Sequence, residues 1–203
     1  MENNKLILST NNTNKVEEIK DILKDLPIEV LSKKDIDMGN LEVVEDGDTL
    51  EANSEKKAKI LSSKIEYMVM ADDSGLFVDS LNGEPGVYSS RYGGEEGNDK
   101  KNNEKLLNEM KDVSIERRTA KFKTVIALIK DREETIFIRG ECKGYIGLKP
   151  EGDKGFGYDP LFIPEGYDKT FAQLDNDVKN KISHRAKALE KIKDVLTDLI
   201  KDD

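Results

Sequence analysis

Residues 6–16 read Leu6-Ile7-Leu8-Ser9-Thr10-Asn11-Asn12-Thr13-Asn14-Lys15-Val16, an apolar run that breaks into small polar residues. The run predicts a buried strand entering a loop. Beyond it Val16, Ile19, Leu23 and Leu26 recur at helical spacing, and Pro27 ends the helix. Strand, polar loop and helix in that order aim backbone N–H groups and a helix N-terminus at an anion.

Downstream, Ile28 to Leu31 reads as a second strand, residues 32–48 as an acidic loop, and Thr49 to Ile65 as a helix. Tyr67 to Ala71 reads as a strand running into Asp72-Asp73-Ser74-Gly75, with extended structure resuming over Leu76 to Val78. Asn82 to Asn98 is a Gly-rich loop, and loops of that length are usually functional or mobile. Asn103 to Met110 is helical. Ala120 to Ile129 and Thr135 to Tyr145 read as a hairpin of two long strands about the charged turn Lys130 to Glu133. Pro150 to Pro160 is a second Gly-rich loop, and Ser183 to Ile200 is a helix with Ala186, Leu189, Ile192, Val195, Leu196 and Leu199 on its apolar side. Alternating helices and strands followed by a hairpin predict an α/β protein with a mixed sheet.

The 203 residues are enough for one large domain or two small lobes. Lys and Arg number 33 against 42 Asp and Glu, a formal net charge of −9. That balance argues against a sequence-independent nucleic-acid binder, which needs a phosphate-neutralising surface. A small anionic ligand remains open, because a few local cations and N–H groups suffice. Cys142 is the single cysteine, so an intramolecular disulfide and a cysteine zinc site are both ruled out. The opening apolar run is too short for a secretory segment, and no stretch approaches a membrane span. A cytoplasmic protein without membrane or nucleic-acid partners is expected.

Five constellations carry chemistry. Thr10-Asn11-Asn12-Thr13-Asn14-Lys15 reads as a triphosphate cradle or as an ordinary capped turn; it lacks the glycines of a Walker loop. Asp72-Asp73-Ser74-Gly75 at a strand end can hold Mg²⁺ and take a proton from water, and repulsion between the two acids would raise the proton affinity of one; the alternative is an Asx-type turn. In Gly155-Phe156-Gly157-Tyr158-Asp159-Pro160, Phe156 and Tyr158 can stack on a base and Asp159 can accept hydrogen bonds, or the aromatics can tuck into the core. Lys179 comes with Ser183-His184-Arg185. His184 and Arg185 at a helix N-terminus oppose the macrodipole, which suits an anion or a base, unless the turn merely tolerates the cost. Glu42, Glu45, Asp46 and Asp48 form either a solvated acidic loop or the source of one metal ligand.

Taken together and in order, these segments resemble the inosine/xanthosine triphosphate pyrophosphatase family. The opening resembles its Thr-x-Asn-x-x-Lys loop. Thr49 to Ala58 resembles its Thr-Phe-x-Glu-Asn-Ala helix, with Leu50 for the usual Phe, and Ala71 to Gly75 its Ala-Asp-Asp-Ser-Gly segment. Gly83 to Tyr92 resembles its Gly-x-Pro-Gly-Val-Tyr-Ser-x-Arg-Tyr loop, Phe156 to Pro160 its Phe-Gly-Tyr-Asp-Pro, and Ser183 to Arg185 its Ser-His-Arg. The resemblance implies an elongated mixed β-sheet with flanking helices, two lobes around a central cleft, and residues 1–203 forming a single pyrophosphatase domain, usually homodimeric. It implies Mg²⁺-dependent hydrolysis of ITP, dITP or XTP to the monophosphate and pyrophosphate; the alternative is a relative acting on modified pyrimidine nucleoside triphosphates. Asp73 is implied as general base and metal ligand with Asp72 beside it. Thr10 to Lys15 would hold phosphates, Ser74 would contact substrate, and Phe156, Gly157, Tyr158 and Asp159 would frame the base. Lys179, His184 and Arg185 would complete the pocket. Where the family often carries Glu in the acidic loop this chain has Val44, so Glu45 takes the place of second metal ligand.

Overall fold

The computed structural model describes residues 4–130 and 134–201. Of the expected turn between the two long strands, Asp131, Arg132 and Glu133 lie outside the described residues. The elements in chain order are β1 (Lys5–Leu8), α1 (Thr13–Leu23), β2 (Glu29–Ser32), α2 (Leu50–Ser62), β3 (Met68–Val78), α3 (Asp99–Glu109), β4 (Thr119–Ile129), β5 (Ile136–Ile146), β6 (Phe162–Pro164), α4 (Asn176–Ile182) and α5 (His184–Lys201). The described strands form one six-stranded sheet in the order β2-β1-β3-β4-β5-β6. β1 runs parallel to β2 and β3, and β5 runs antiparallel to β6, so the sheet is mixed as expected.

The chain divides into two compact units. The first comprises the chain up to Asp73, Thr124–Gly140 and Lys187 onward; the second comprises Ser74–Lys123 and Glu141–Ala186.

In the first unit the connections dictate the layers. The β1-to-β2 and β2-to-β3 crossovers step in opposite directions across the sheet, and right-handed crossovers then place α1 and α2 on opposite faces. Side chains alternate between faces along a strand. Ile7, Val69 and Ala71 accordingly pack with Ala58 and Leu61 of α2, joined by Ala127 and Ile129. Leu6, Leu8, Met68 and Met70 have the opposite parity and are buried as well. β1 and the first half of β3 are thus covered on both sides, which is why they read as continuous apolar runs.

The core of the second unit gathers Leu76, Val78, Phe122, Tyr158, Phe162 and Phe171. Phe122 meets Phe162 edge-on at 4.7 Å and stacks on Phe171 at 6.2 Å. Such aromatic pairs add about 1 kcal/mol each beyond the area they bury.

Two expectations need correction. α1 ends at Leu23, and Leu26 closes a turn on the Leu23 carbonyl, because the residues before a proline are steered out of the helical region. β3 is also unbroken: Asp72-Asp73-Ser74-Gly75 lies in the middle of an 11-residue strand, not in a turn at its end. The sheet neighbour β4 holds the segment extended against its turn-forming composition, since the β1 pairing stops at Met70. The long loop after β3 contains a short 3-10 helix, Gly86–Arg91. β6 and α4, within the stretch 161–182, had no counterpart in the sequence reading.

Candidate active site

In the first unit, β1 delivers the chain to Ser9, whose N–H donates to the Met70 carbonyl and whose hydroxyl donates to the Lys57 carbonyl at 2.9 Å. Thr10 Oγ1 accepts the Asn12 N–H at 3.1 Å, and Asn12 caps α1 by accepting the Lys15 N–H at 3.2 Å. Asn11, Asn12, Thr13 and Asn14 are exposed, so the loop and the first turn of α1 face solvent with their donors. Lys15 reaches Asp72, with Nζ 3.0 Å from Oδ2.

Alternation along β3 separates the two aspartates. Asp72 shares the parity of Met68 and Met70 and pairs with Lys15 of α1. Asp73 shares the parity of Val69 and Ala71 and meets α2, with Lys57 Nζ 3.2 Å from its Oδ1. Lys57 also binds Glu45 Oε2 at 2.9 Å. Asn53, one turn before Lys57 on α2, donates to Asp73 Oδ2 at 3.3 Å and accepts the Gly47 N–H at 2.8 Å. A Cβ on Gly47 would sit 2.7 Å from the Asn53 oxygen, so the acidic loop can lie this close to α2 only as glycine. Thr124 of β4 donates to the Asp73 carbonyl at 3.1 Å, pinning the backbone beneath the carboxyl.

Burial pushes the Asp73 carboxyl up to about 6, with Lys57 and Lys15 opposing and the charge and hydrogen bond of Glu45 adding to the rise. Burial also works to raise Glu45, but Lys57 and the hydrogen bonds from Lys57 and Asp73 prevail and hold it below the usual carboxylate range. Burial opposes the charge on Lys57, yet Asp73, Glu45 and Asp72 together hold it protonated. Of the two carboxyls Asp73 therefore keeps a proton to the higher pH, and the rise expected from Asp72 comes instead from desolvation and Glu45.

Sequence reading missed Lys57 and Asn53. A signal was present: Leu50, Asn53, Lys57, Ala58 and Leu61 are all buried at helical spacing, so a lysine stands on the buried stripe of α2. A charge there needs partners.

No cluster of three or more acidic, His or Cys side chains able to cage a metal occurs among the described residues. Glu45 and Asp73 in mutual contact do fit Mg²⁺, which takes one or two carboxylates and completes its shell with waters and substrate phosphates. Asp72, turned to Lys15, stands outside that pair.

In the second unit, Arg185 is 2% exposed and donates from Nη2 to Ser74 Oγ at 3.3 Å. Its guanidinium carbon lies 5.7 Å from the centre of the Phe156 ring. Lys179 Nζ lies 4.8 Å from the same centre and is 2.6 Å from Asp159 Oδ2. Asp159 Oδ2 also accepts the Phe156 N–H at 2.9 Å. Gly155 has φ +74, and a Cβ there would strike the Asp159 carboxylate. His184 stacks on Phe122 at 4.7 Å, and Ser183 accepts the Ala186 N–H at 3.1 Å as a helix cap.

Tyr158 is placed differently from the expectation that it stacks on a base. Its ring belongs to the core and its hydroxyl donates to the Ser89 carbonyl at 2.8 Å, so it anchors the loop. Half-buried Phe156 is the aromatic that keeps an accessible side, with two cations at its ring. Ser89 in turn accepts the Leu76 N–H at 2.9 Å and donates to the Gly86 carbonyl at 2.6 Å, tying the Gly83 to Tyr92 loop to β3.

The chain is similar to proteins of known family along nearly its whole length. The Ham1 family model matches residues 6–195. A dITP/XTP pyrophosphatase of Clostridium tetani is 52% identical over 200 residues, covering 97% of this chain and 98% of that protein. A dITP/XTP pyrophosphatase of Bacillus subtilis is 46% identical over 190 residues, covering 94% of this chain and 96% of that protein. Among solved structures, a HAM1 protein from Coxiella burnetii superposes with a TM-score of 0.86 at 35% identity, covering 96% of this chain and 98% of that one. The Staphylococcus aureus Ham1 protein superposes with a TM-score of 0.82 at 36% identity, covering 98% of this chain and all of that one. The chain thus belongs to the Ham1 family.

Proposed function

We propose that this protein is a nucleoside triphosphate pyrophosphatase that hydrolyses non-standard purine nucleotides (ITP, dITP and XTP) to the monophosphate and pyrophosphate, so keeping them out of DNA and RNA. The observation that carries the proposal is the buried Asp73, with a carboxyl raised to about 6 and contacts to Lys57, Asn53 and Glu45. A carboxyl poised near neutrality beside a lysine and a second acid suits orientation and deprotonation of an attacking water. The names of the relatives, dITP/XTP pyrophosphatase, support the substrate class.

Water attacks the α-phosphorus and pyrophosphate leaves. Asp73 orients the water and takes its proton, while Lys57 holds Asp73 and Glu45 in place. Glu45 and Asp73 are the residues that would hold Mg²⁺, with Asp72 behind them. The ion, when bound, neutralises charge on the phosphates. Thr10 to Lys15 contact the phosphates through backbone donors and the Lys15 ammonium. Ser74 contacts the substrate, and Phe156, Gly157, Asp159, Lys179, His184 and Arg185 receive the base, with donors matched to a 6-oxo purine. A 6-amino group would leave donors facing donors, a mismatch larger than shape alone provides. The protein is proposed to act as a cytoplasmic homodimer, with residues 1–203 working as one catalytic domain.

The test is a panel of ITP, dITP, XTP, GTP and ATP, with and without Mg²⁺, scored by pyrophosphate release. Higher kcat/KM for the non-standard purines is expected. Equal values across the panel would refute the selectivity, and no release from any member would refute the activity.

A further inference from the structure

Asp99 and Asn103 stand one turn apart on the same side of α3, and both bind Gly157. Asp99 Oδ2 accepts the Gly157 N–H at 2.7 Å. Asn103 Nδ2 donates to the Gly157 carbonyl at 2.8 Å and to the Asp99 carbonyl at 2.7 Å. Two carbonyls around one nitrogen fix which way the Asn103 amide faces. Both main-chain polar groups of Gly157 are therefore committed to one helix. Gly157 has φ +62, with nothing within 4 Å of where a Cβ would be, so glycine is required by the backbone turn and not by crowding.

This grip falls beside the one loop residue with an accessible ring. Phe156 precedes Gly157, its own N–H is held by Asp159, and its ring lies beside Lys179 and Arg185. On the other side Tyr158 is fixed in the core. The position of Phe156 thus depends on Asp159, Tyr158, Lys179, Arg185 and the α3 pair, and it is the α3 pair that holds the main chain of Gly157.

We infer that Asp99 and Asn103 are positioning residues for base recognition, holding Gly157 so that the Phe156 ring is preset for the purine. The inference rests on the proposed function, because it presumes that Phe156 meets a base. It adds two residues outside every motif considered above. Asp99 is exposed, so its replacement removes a bond without opening the core.

The experiment compares Asp99→Ala, Asp99→Asn and Asn103→Leu with the unaltered protein. Losing one hydrogen bond to a charged acceptor should raise KM for dITP about tenfold. The kcat should stay within about twofold, since the phosphate-handling residues are untouched. The inhibition constant of inorganic tripolyphosphate, which has phosphates but no base, should not change. Asp99→Asn keeps an acceptor for the Gly157 N–H and should restore most of the affinity, which a helix-charge effect would not do. Asn103→Leu preserves side-chain size and should raise KM as Asp99→Ala does.

Hydrogen exchange at the Gly157 amide, followed by NMR, supplies a readout independent of activity. It should accelerate in Asp99→Ala while the amides of β3 and β4 keep their protection. An unchanged KM, a parallel loss of dITP and tripolyphosphate binding, or an unaltered Gly157 amide would each overturn the inference. Should the unaltered protein release no pyrophosphate from any 6-oxo purine nucleotide, the proposed function falls on its own, and the amide measurement still decides whether α3 holds the loop.

Discussion

Asp72 and Asp73 are consecutive in β3, yet their carboxylates pair with lysines of different helices, Asp72 with Lys15 of α1 at 3.0 Å and Asp73 with Lys57 of α2 at 3.2 Å. Strand alternation and the placement of the two helices on opposite faces of the sheet produce the split. One acid is neutralised by the lysine of the polar loop. The other is left near Glu45, where burial and that second acid raise its proton affinity. A single residue step along a strand thus assigns two aspartates two different environments.

Replacing Asp73 with Asn should lower kcat for dITP by at least about a hundredfold, the usual contribution of a positioned general base. Stability should not fall, since the substitution removes a carboxyl whose ionisation burial already disfavours. Pyrophosphate release and a thermal melt on the same preparation check both parts. Near-normal turnover would end the assignment of Asp73.

Lys57→Met should be destabilising. Lys57 is 7% exposed and touches Asp73 and Glu45, so its loss leaves two acids facing each other in a buried place. Removing one member of a buried ionic cluster typically costs about 3 kcal/mol. Part of the loss should return at pH 5, where the acids can protonate. Denaturant unfolding at pH 7.5 and pH 5 tests this, and equal losses at both would contradict it.

Much of this was legible in local sequence. Leu6–Leu8, α2, the paired long strands and α5 follow from apolar periodicity, and the six motif segments point to the residues that the structure gathers in each unit. Two features were not legible. Asp72-Asp73-Ser74-Gly75 has the composition of a turn, and its place beside β4 in the sheet makes it extended. Lys57 sits on the buried stripe of α2, but the acids that justify it come from residues 45 and 73. Long-range pairing, not propensity, decides both. Tyr158 shows a smaller version of the same effect: composition does not distinguish it from Phe156, and the Ser89 carbonyl decides which ring is anchored.

In the metal-free protein the Asp73 carboxyl should titrate with a midpoint near 6, followed by carboxyl NMR. Because the folded-state value is raised above that of the unfolded chain, Asp73 contributes most stability below about 4, and that contribution fades as pH rises through about 6. Glu45 acts oppositely: held low, it adds stability above its unfolded value and loses it as pH falls. A midpoint below 5 for Asp73 would mean that Lys57 outweighs burial.

Tyr158→Phe and Phe156→Ala should separate cleanly. The Tyr158 hydroxyl is bonded to the Ser89 carbonyl inside the core. Its removal leaves a buried acceptor short of a donor and should lower stability by about 1–2 kcal/mol. Because the Tyr158 ring is buried, KM for dITP should stay close to that of the unaltered protein. Phe156 is half-buried with two cations beside it, so its loss removes a stacking surface and loosens the setting of Lys179 and Arg185. Stacking of a base on an aromatic ring contributes about 1–3 kcal/mol, so KM should rise by tenfold or more while the unfolding free energy changes little. Paired measurements of KM and denaturant midpoint decide the matter. A Tyr158→Phe variant with weakened nucleotide binding and undiminished stability would show that Tyr158, not Phe156, provides the stacking face.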